Sequence, residues 1–284
     1  EAKVESLSNL LKEVVAAYEK GRAAEGAGEA AEAISAYRRV LSLYPLYKDA
    51  NARLKALIEA AKKAAAATLS VAAVRERFPR LATGDAILLN DPYAGGTHLP
   101  DLTLVHAVGE AGKAWFVVTR AHHADVGGSE PGSMAPAADL PAEGLRIPPV
   151  HDMRGGEVVE EVEAMLLANT RTPRQRRGDL RAQRQAGGLG VARLEALFEK
   201  HGRAVVDAAA RALRDYASRL FTASIRGLRP GCFHAREELE GDGFQDRDYT
   251  LDLVLTRRRD WRMIFEFSGS DDQAFGGVNA NPAI

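Results

Sequence analysis

Near residue 66 the chain changes character, and that break constrains its fold more than any other feature. Before it the sequence is rich in Ala, Glu, Lys and Leu, with apolar residues at helical spacing. Leu7, Leu10, Leu11, Val14, Val15 and Tyr18 form one stripe. Ala33, Ile34, Tyr37, Val40 and Leu41 form the inner face of a second helix, over about Glu29–Leu43. Gly26 and Gly28 separate the two. Pro45 stops the second, and a third follows with Ala50, Leu54, Leu57 and Ile58 inward. The run Lys62-Lys63-Ala64-Ala65-Ala66-Ala67 marks the seam. These spacings predict an all-α hairpin segment over residues 1–66 and a separate body over residues 67–284.

Past the seam, Val71–Phe78 reads as a short helix ended by Pro79, and Ala86–Leu89 as a buried strand after the turn at Gly84-Asp85. Asn90-Asp91-Pro92 and Gly95-Gly96 make a long loop. Leu102–Val108 and Ala114–Ala121 then form a hairpin about Glu110-Ala111-Gly112. Loop-rich sequence runs to about Glu157. Helices follow near Val158–Asn169, Asp179–His201 and Arg203–Arg226. Strands return at Phe233–Leu239, Tyr249–Thr256 and Trp261–Phe267. The body is therefore predicted to be α+β, with β-hairpins and several helices.

Composition narrows the partners. Apolar residues make up 46% of the 284, charged residues 27%, and the net charge is −1. These are globular values, without the basic excess that would draw nucleic acid or an anionic membrane. No apolar run reaches the roughly 20 residues of a membrane span, and no signal peptide is visible. The single cysteine, Cys232, excludes an internal disulfide framework, is expected to be buried and inert, and fits a cytoplasmic location. The chain lacks an initial Met and stops in what reads as a loop, so it is expected to be part of a longer protein.

Four of the seven histidines, His98, His106, His122 and His123, fall within 26 residues, interleaved with carboxylates and glycines. His98 and Asp101 are three apart across a proline turn, which lets both side chains converge. The hairpin returns the end of its second strand beside the start of its first, so His122 or His123 arrives near them. Successive strand residues face opposite ways, so both cannot enter one site. Two imidazoles and a carboxylate suit Mn, Fe or Zn. Such an ion polarises a carbonyl or activates water. Asp125 is a candidate fourth ligand, or an acceptor orienting an imidazole. The competing reading is a set of structural histidines in a polar loop. His106, mid-strand, reads as a packing residue, and Ser133 and Ser268 lack the elbow of a serine nucleophile.

At these residues the chain resembles the hydantoinase B family, which includes the B half of 5-oxoprolinase and the α subunits of acetone and acetophenone carboxylases. The resemblance runs from about Leu69 to Ile284. It is carried by Gly84-Asp85, by Asn90-Asp91-Pro92-Tyr93, and by Gly95-Gly96-Thr97-His98-Leu99-Pro100-Asp101. It continues through Ala121-His122-His123-Ala124-Asp125-Val126-Gly127-Gly128, Pro131–Met134, Glu143-Gly144 and Ile147-Pro148-Pro149. Asp179-Leu180, Ala182-Gln183, Phe267–Ser270, Gln273 and Asn279-Ala280 complete it. The resemblance implies a divalent metal on His98, Asp101 and His123. His122 then either supports a ligand or faces the substrate, and His122 and Asp125 are the candidate catalytic groups. It also implies a hydantoinase A type partner that binds ATP, and a small cyclic amide as substrate. A ketone carboxylase α subunit is the alternative within enzymes, and a non-catalytic scaffold the alternative outside them. The run Val150-His151-Asp152-Met153 departs from the family pattern. In the front segment, the spacing Ala17, Gly21, Gly28, Ala33, Tyr37, Pro45 resembles a tetratricopeptide repeat of about 34 residues. Ala24 stands where a large aromatic is usual, and an ordinary helical hairpin is the alternative. The arginines between Arg171 and Arg184 read as a solvated helix start, or as a surface facing a partner's nucleotide.

Overall fold

The computed structural model describes residues 2–43, 52–53, 67–132, 136–226 and 228–280. The stop at Pro45, the third front helix, the seam at residues 62–66, Ser133-Met134 and the last four residues lie outside the described residues. So do the side chains of Leu7, Leu10, Leu11 and Leu41. Two compact units emerge: Glu1–Ala65 with Ala217–Ala223, and Ala66–Tyr216 with Ser224–Ile284.

In the first unit, α1 (Ala2–Gly26) and α2 (Ala30–Leu43) form a hairpin. Gly28 turns it at φ +76°, where a side chain would be strained. Val14, Tyr18, Ala24, Ala33, Tyr37 and Val40 are buried between the helices. Gly21 lets them approach, because a Cβ there would lie 2.8 Å from the Tyr37 ring. The Tyr37 hydroxyl donates to Glu25 Oε2 at 2.7 Å, and burial together with that carboxylate pushes its pKa up to about 12. Val15, expected in the apolar stripe, is exposed. It lies a hundred degrees round the helix from Val14, and α1 turns only one face to α2.

The second unit is built on a five-stranded antiparallel sheet. Its strands are β1 (Ala86–Leu89), β2 (Asp101–Val108), β3 (Trp115–His122), β4 (Val150–Arg154) and β5 (Glu157–Val158), in the order β3-β2-β1-β4-β5. All four residues of the central β1 are buried. Period-two alternation sorts the apolar residues onto two faces. Ile87, Leu89, Val105 and Ala107 pack with Val71, Val74 and Phe78 around α3, the helical residues 67–77. Leu88, Leu102 and Leu104 pack on the other face with Val162 and Leu166 of α5 (Glu160–Ala168) and Leu180 of α6 (Pro173–His201). The short α4 (Leu140–Glu143) lies between β3 and β4 in sequence, and α7 (Arg203–Arg226) follows α6.

Helix α6 begins at Pro173, six residues before its expected start, because proline suits the first turn and the arginines after it are good helix formers. Gln183, Arg184 and Gly187 share its buried face. A Cβ on Gly187 would fall 2.0 Å from His106 Nε2, so the glycine sets the spacing between helix and sheet. Gly187→Ala should therefore destabilise the chain by about 2 kcal/mol, since overpacking against a buried ring outweighs the gain in helix propensity. Urea denaturation measures this, and unchanged stability would mean that the spacing is not fixed there.

Strand β4 was not expected. The run Val150-His151-Asp152-Met153 lacks an apolar alternation, yet it pairs with β1 and buries Asp152 completely. Asp152 accepts from Arg184 through both oxygens, at 2.7 and 2.8 Å, and Glu163 also accepts from Arg184. The arginine stretch of α6 thus includes a buried cross-link as well as solvated groups. A second sheet, β6 (Gly231–Leu239), β7 (Tyr249–Arg257) and β8 (Met263–Glu266), is antiparallel in that order. Every residue of β6 is exposed, Cys232 included, because strand side chains are buried only by what packs on the two faces of the sheet, and β6 is left uncovered among the described residues.

Candidate metal centre

The loop from β1 to β2 is fixed by buried polar contacts. Asn90, fully buried, donates through Nδ2 to Leu99 O (2.7 Å) and Leu145 O (2.9 Å), and its Oδ1 accepts from Ile147 N (2.6 Å). Asp91 caps the 3₁₀ turn Pro92–Ala94 by accepting from Tyr93 N at 3.0 Å. A Cβ on Gly96 would lie 2.1 Å from Asn90 O, so only glycine lets the chain pass. From the β3 side, Arg120 Nε donates to Thr103 Oγ1 at 2.8 Å, and its Nη2 to Ser70 Oγ at 3.0 Å and Gly95 O at 3.3 Å.

This frame delivers His98 to Asp101, the first residue of β2. The strand register pairs Asp101 directly with His122, the last residue of β3, so the two share a face. Asp101 Oδ1 lies 3.1 Å from His122 Nδ1 and 3.3 Å from His98 Nε2. The ligand atoms that the three residues offer lie within 4.8 Å of one another. The Thr97 hydroxyl donates to the other oxygen, Asp101 Oδ2, at 3.3 Å. Burial alone would raise the Asp101 carboxyl, but His98 and His122 outweigh it and hold the pKa at about 2. His98 is raised in turn, chiefly by Asp101. The aspartate is a fixed anion, with two half-exposed imidazoles around it.

His123 is not part of this group. One residue beyond His122, it turns to the opposite face, where it is 1% exposed and its Nε2 lies 3.2 Å from Gln183 Oε1. Gln183 spends its amide hydrogens on Leu102 O (2.9 Å) and Thr119 O (3.2 Å). Its oxygen must therefore accept, which places the His123 proton on Nε2. Burial lowers the His123 pKa.

Asp125 also points elsewhere. Its Oδ1 accepts from Gly127 N at 3.0 Å, and its Oδ2 from Thr170 Oγ1 at 2.9 Å and Arg171 N at 2.6 Å. The carboxylate ties its loop to the α5–α6 connection. Asp179, one of the family-motif residues, pairs with Arg176 at 3.0 Å. The arrangement thus joins His98 and Asp101 with His122, and separates them from His123 and Asp125. Sequence reasoning assigned no role to Arg120 or Thr97. The period-two rule would have found Arg120, two residues before His122 on the same strand face.

Residues 52–284 match the family model Hydantoinase B/oxoprolinase. The chain belongs to the hydantoinase B/oxoprolinase family. This family member is 33% identical over 213 residues to 5-oxoprolinase of Dictyostelium discoideum, which covers 71% of the chain and 16% of that protein. It is 36% identical over 165 residues to the caprolactamase subunit beta of Pseudomonas jessenii, covering 57% of the chain and 28% of that subunit. The chain thus spans less than a third of either relative. Among solved structures, the ATP-dependent caprolactamase of Pseudomonas jessenii superposes with a TM-score of 0.66 at 30% identity, over 77% of this chain and 38% of that one. Acetone carboxylase in its nucleotide-free form gives 0.62 at 19% identity, over 77% of this chain and 31% of that one, and shares the fold. Among the described residues, no helix is long and apolar enough to cross a membrane.

Proposed function

We propose that this chain is the metal-bearing portion of an ATP-dependent hydrolase that opens cyclic amides, acting as a B-type subunit in the cytoplasm. The observation that carries this reading is the convergence of His98, Asp101 and His122 on one face at the β2–β3 edge. The donor set fits a divalent ion. Ligand atoms about 2.0–2.2 Å from one ion stand roughly 3.0–3.5 Å apart in tetrahedral or octahedral geometry. The two contacts to Asp101 Oδ1, at 3.1 and 3.3 Å, fall in that range.

His98, Asp101 and His122 would hold Mn, Zn or Fe, and the ion would polarise the amide carbonyl or lower the pKa of a water. The protein contributes the rest. Asp101 supplies a permanent negative charge, Thr97 fixes its second oxygen, and Arg120 locks the glycine loop from which His98 projects. Solvent exposure of the two imidazoles leaves the outer side of the cluster open to a substrate. ATP would be bound by a separate hydantoinase A type partner. The relatives named as caprolactamase and hydantoinase subunits support that division, and these 284 residues hold no Gly-x-x-x-x-Gly-Lys loop.

The test begins with metal per chain by inductively coupled plasma mass spectrometry, on untagged protein stripped with chelator and reloaded. About one ion per chain is expected. Reconstitution with an A-type subunit should then couple ATP hydrolysis to opening of 5-oxoproline, hydantoin or caprolactam, with no ATP hydrolysis by the chain alone. Folded protein that takes up no ion would favour a scaffold and overturn the proposal.

A further inference from the structure

A second constellation involves none of the three candidate ligands. Residues Gly127-Gly128, the stretch around α4 through Arg146, and residues 168–171 enclose a recess of about 720 Å³. That volume falls within the range of small-molecule sites. Its apolar wall is Leu140, Pro141 and Leu145, and among the described residues its charged lining is Arg146 and Arg171.

The two arginines differ in a useful way. Arg171 is held from behind: its Nη1 lies 3.3 Å from Asp125 Oδ1, and its Nη2 donates to Gly128 O at 2.9 Å. Those bonds use two of its five N–H donors and fix the plane of the guanidinium, with three donors left over. Arg146 has only a loose partner, with its Nε 3.8 Å from Asp91 Oδ2, beyond hydrogen-bond reach. The wall carrying Arg146 is itself anchored, through Leu145 O and Ile147 N, to the buried Asn90. Two guanidinium forks beside an apolar wall, with no carboxylate among the described residues that line the space, make a receptor for an oxyanion. The Asp125 carboxylate, saturated by its own donors, acts here as the brace that aims Arg171.

We propose that this recess binds the anionic end of a small organic molecule, a carboxylate or a phosphate, between Arg146 and Arg171. The apolar part of the ligand would rest on Leu140, Pro141 and Leu145.

The experiment follows the arginine Nε–H signals of the ¹⁵N-labelled, chelator-stripped chain at pH 7 and low salt. Inorganic phosphate is titrated in one series and acetate in another. Saturable shifts are expected, weaker at high salt. Tighter phosphate binding identifies a phosphate site, and tighter acetate binding a carboxylate site. Arg146→Gln, a half-exposed position that the fold does not depend on, should weaken binding by about tenfold or more. Arg193→Gln, on the exposed side of α6, should leave it unchanged. Asp101→Asn should also bind the anions as the parent does, so failure of the metal reading would not touch this one. No saturable shift with either anion, or equal weakening by Arg193→Gln, would overturn the proposal.

Discussion

His122→Ala should strip the metal from the chain, and His123→Ala should leave it in place. His122 sits opposite Asp101 in the strand register, with its Nδ1 3.1 Å from the shared carboxylate oxygen. Its removal takes away one of the three proposed ligands. That should exceed the roughly 10–100-fold loss of affinity that follows removal of a residue merely supporting a ligand. Metal content after dialysis should fall from about one ion per chain toward none. His123 is buried on the other face against Gln183. Its truncation opens a cavity and leaves the Gln183 oxygen unpaired, at an expected cost of about 2–4 kcal/mol in stability with metal affinity nearly unchanged. Mass spectrometry and urea denaturation on both variants give a double dissociation. The reverse pattern, metal lost with His123→Ala and kept with His122→Ala, would restore the ligand set implied by family resemblance and discard the one the register implies.

The largest stability effect is expected at Asp152. This carboxylate has no exposed surface and holds Arg184, itself 8% exposed, through two hydrogen bonds. Asp152→Ala leaves a guanidinium in the α6–sheet interface with Glu163 as its remaining carboxylate partner. Breaking a buried pair on one side costs about 3–5 kcal/mol, a large part of the 5–15 kcal/mol typical of a domain. The urea midpoint should fall accordingly. Replacing both partners by apolar residues, Asp152→Leu with Arg184→Met, should recover much of the loss, because no charge is then stranded. A single variant as stable as the parent would show that water reaches Arg184 and that the cross-link contributes little.

These two sites also mark where sequence reasoning succeeds and where it stops. The β2–β3 hairpin and the His98–Asp101 pair were legible, since period-two alternation, a glycine turn and a three-residue spacing are local signals. That His122 and His123 face opposite ways was legible too. Which of them meets Asp101 was not, because a register slip of one residue exchanges the faces, and register is set by pairing across the sheet. Strand β4 was illegible for a related reason. Asp152 looks like a loop residue until Arg184, 32 positions away, is placed against it. Cys232 defeated expectation because burial depends on what covers β6, which no local pattern encodes. The α+β class and the family motifs survived these misses, because they rest on many positions at once.

The single amide of Asn90 joins two stretches of backbone that are distant in sequence: Leu99 beside the histidine cluster, and the segment Leu145–Ile147 with Arg146 at its middle. Local opening in proteins follows cooperative units more than chain segments. Freeing the loop that presents His98 would strand one hydrogen of this buried amide, and freeing the wall that presents Arg146 would strand its other hydrogen and its oxygen. Two surfaces of different chemistry therefore rest on one buried side chain.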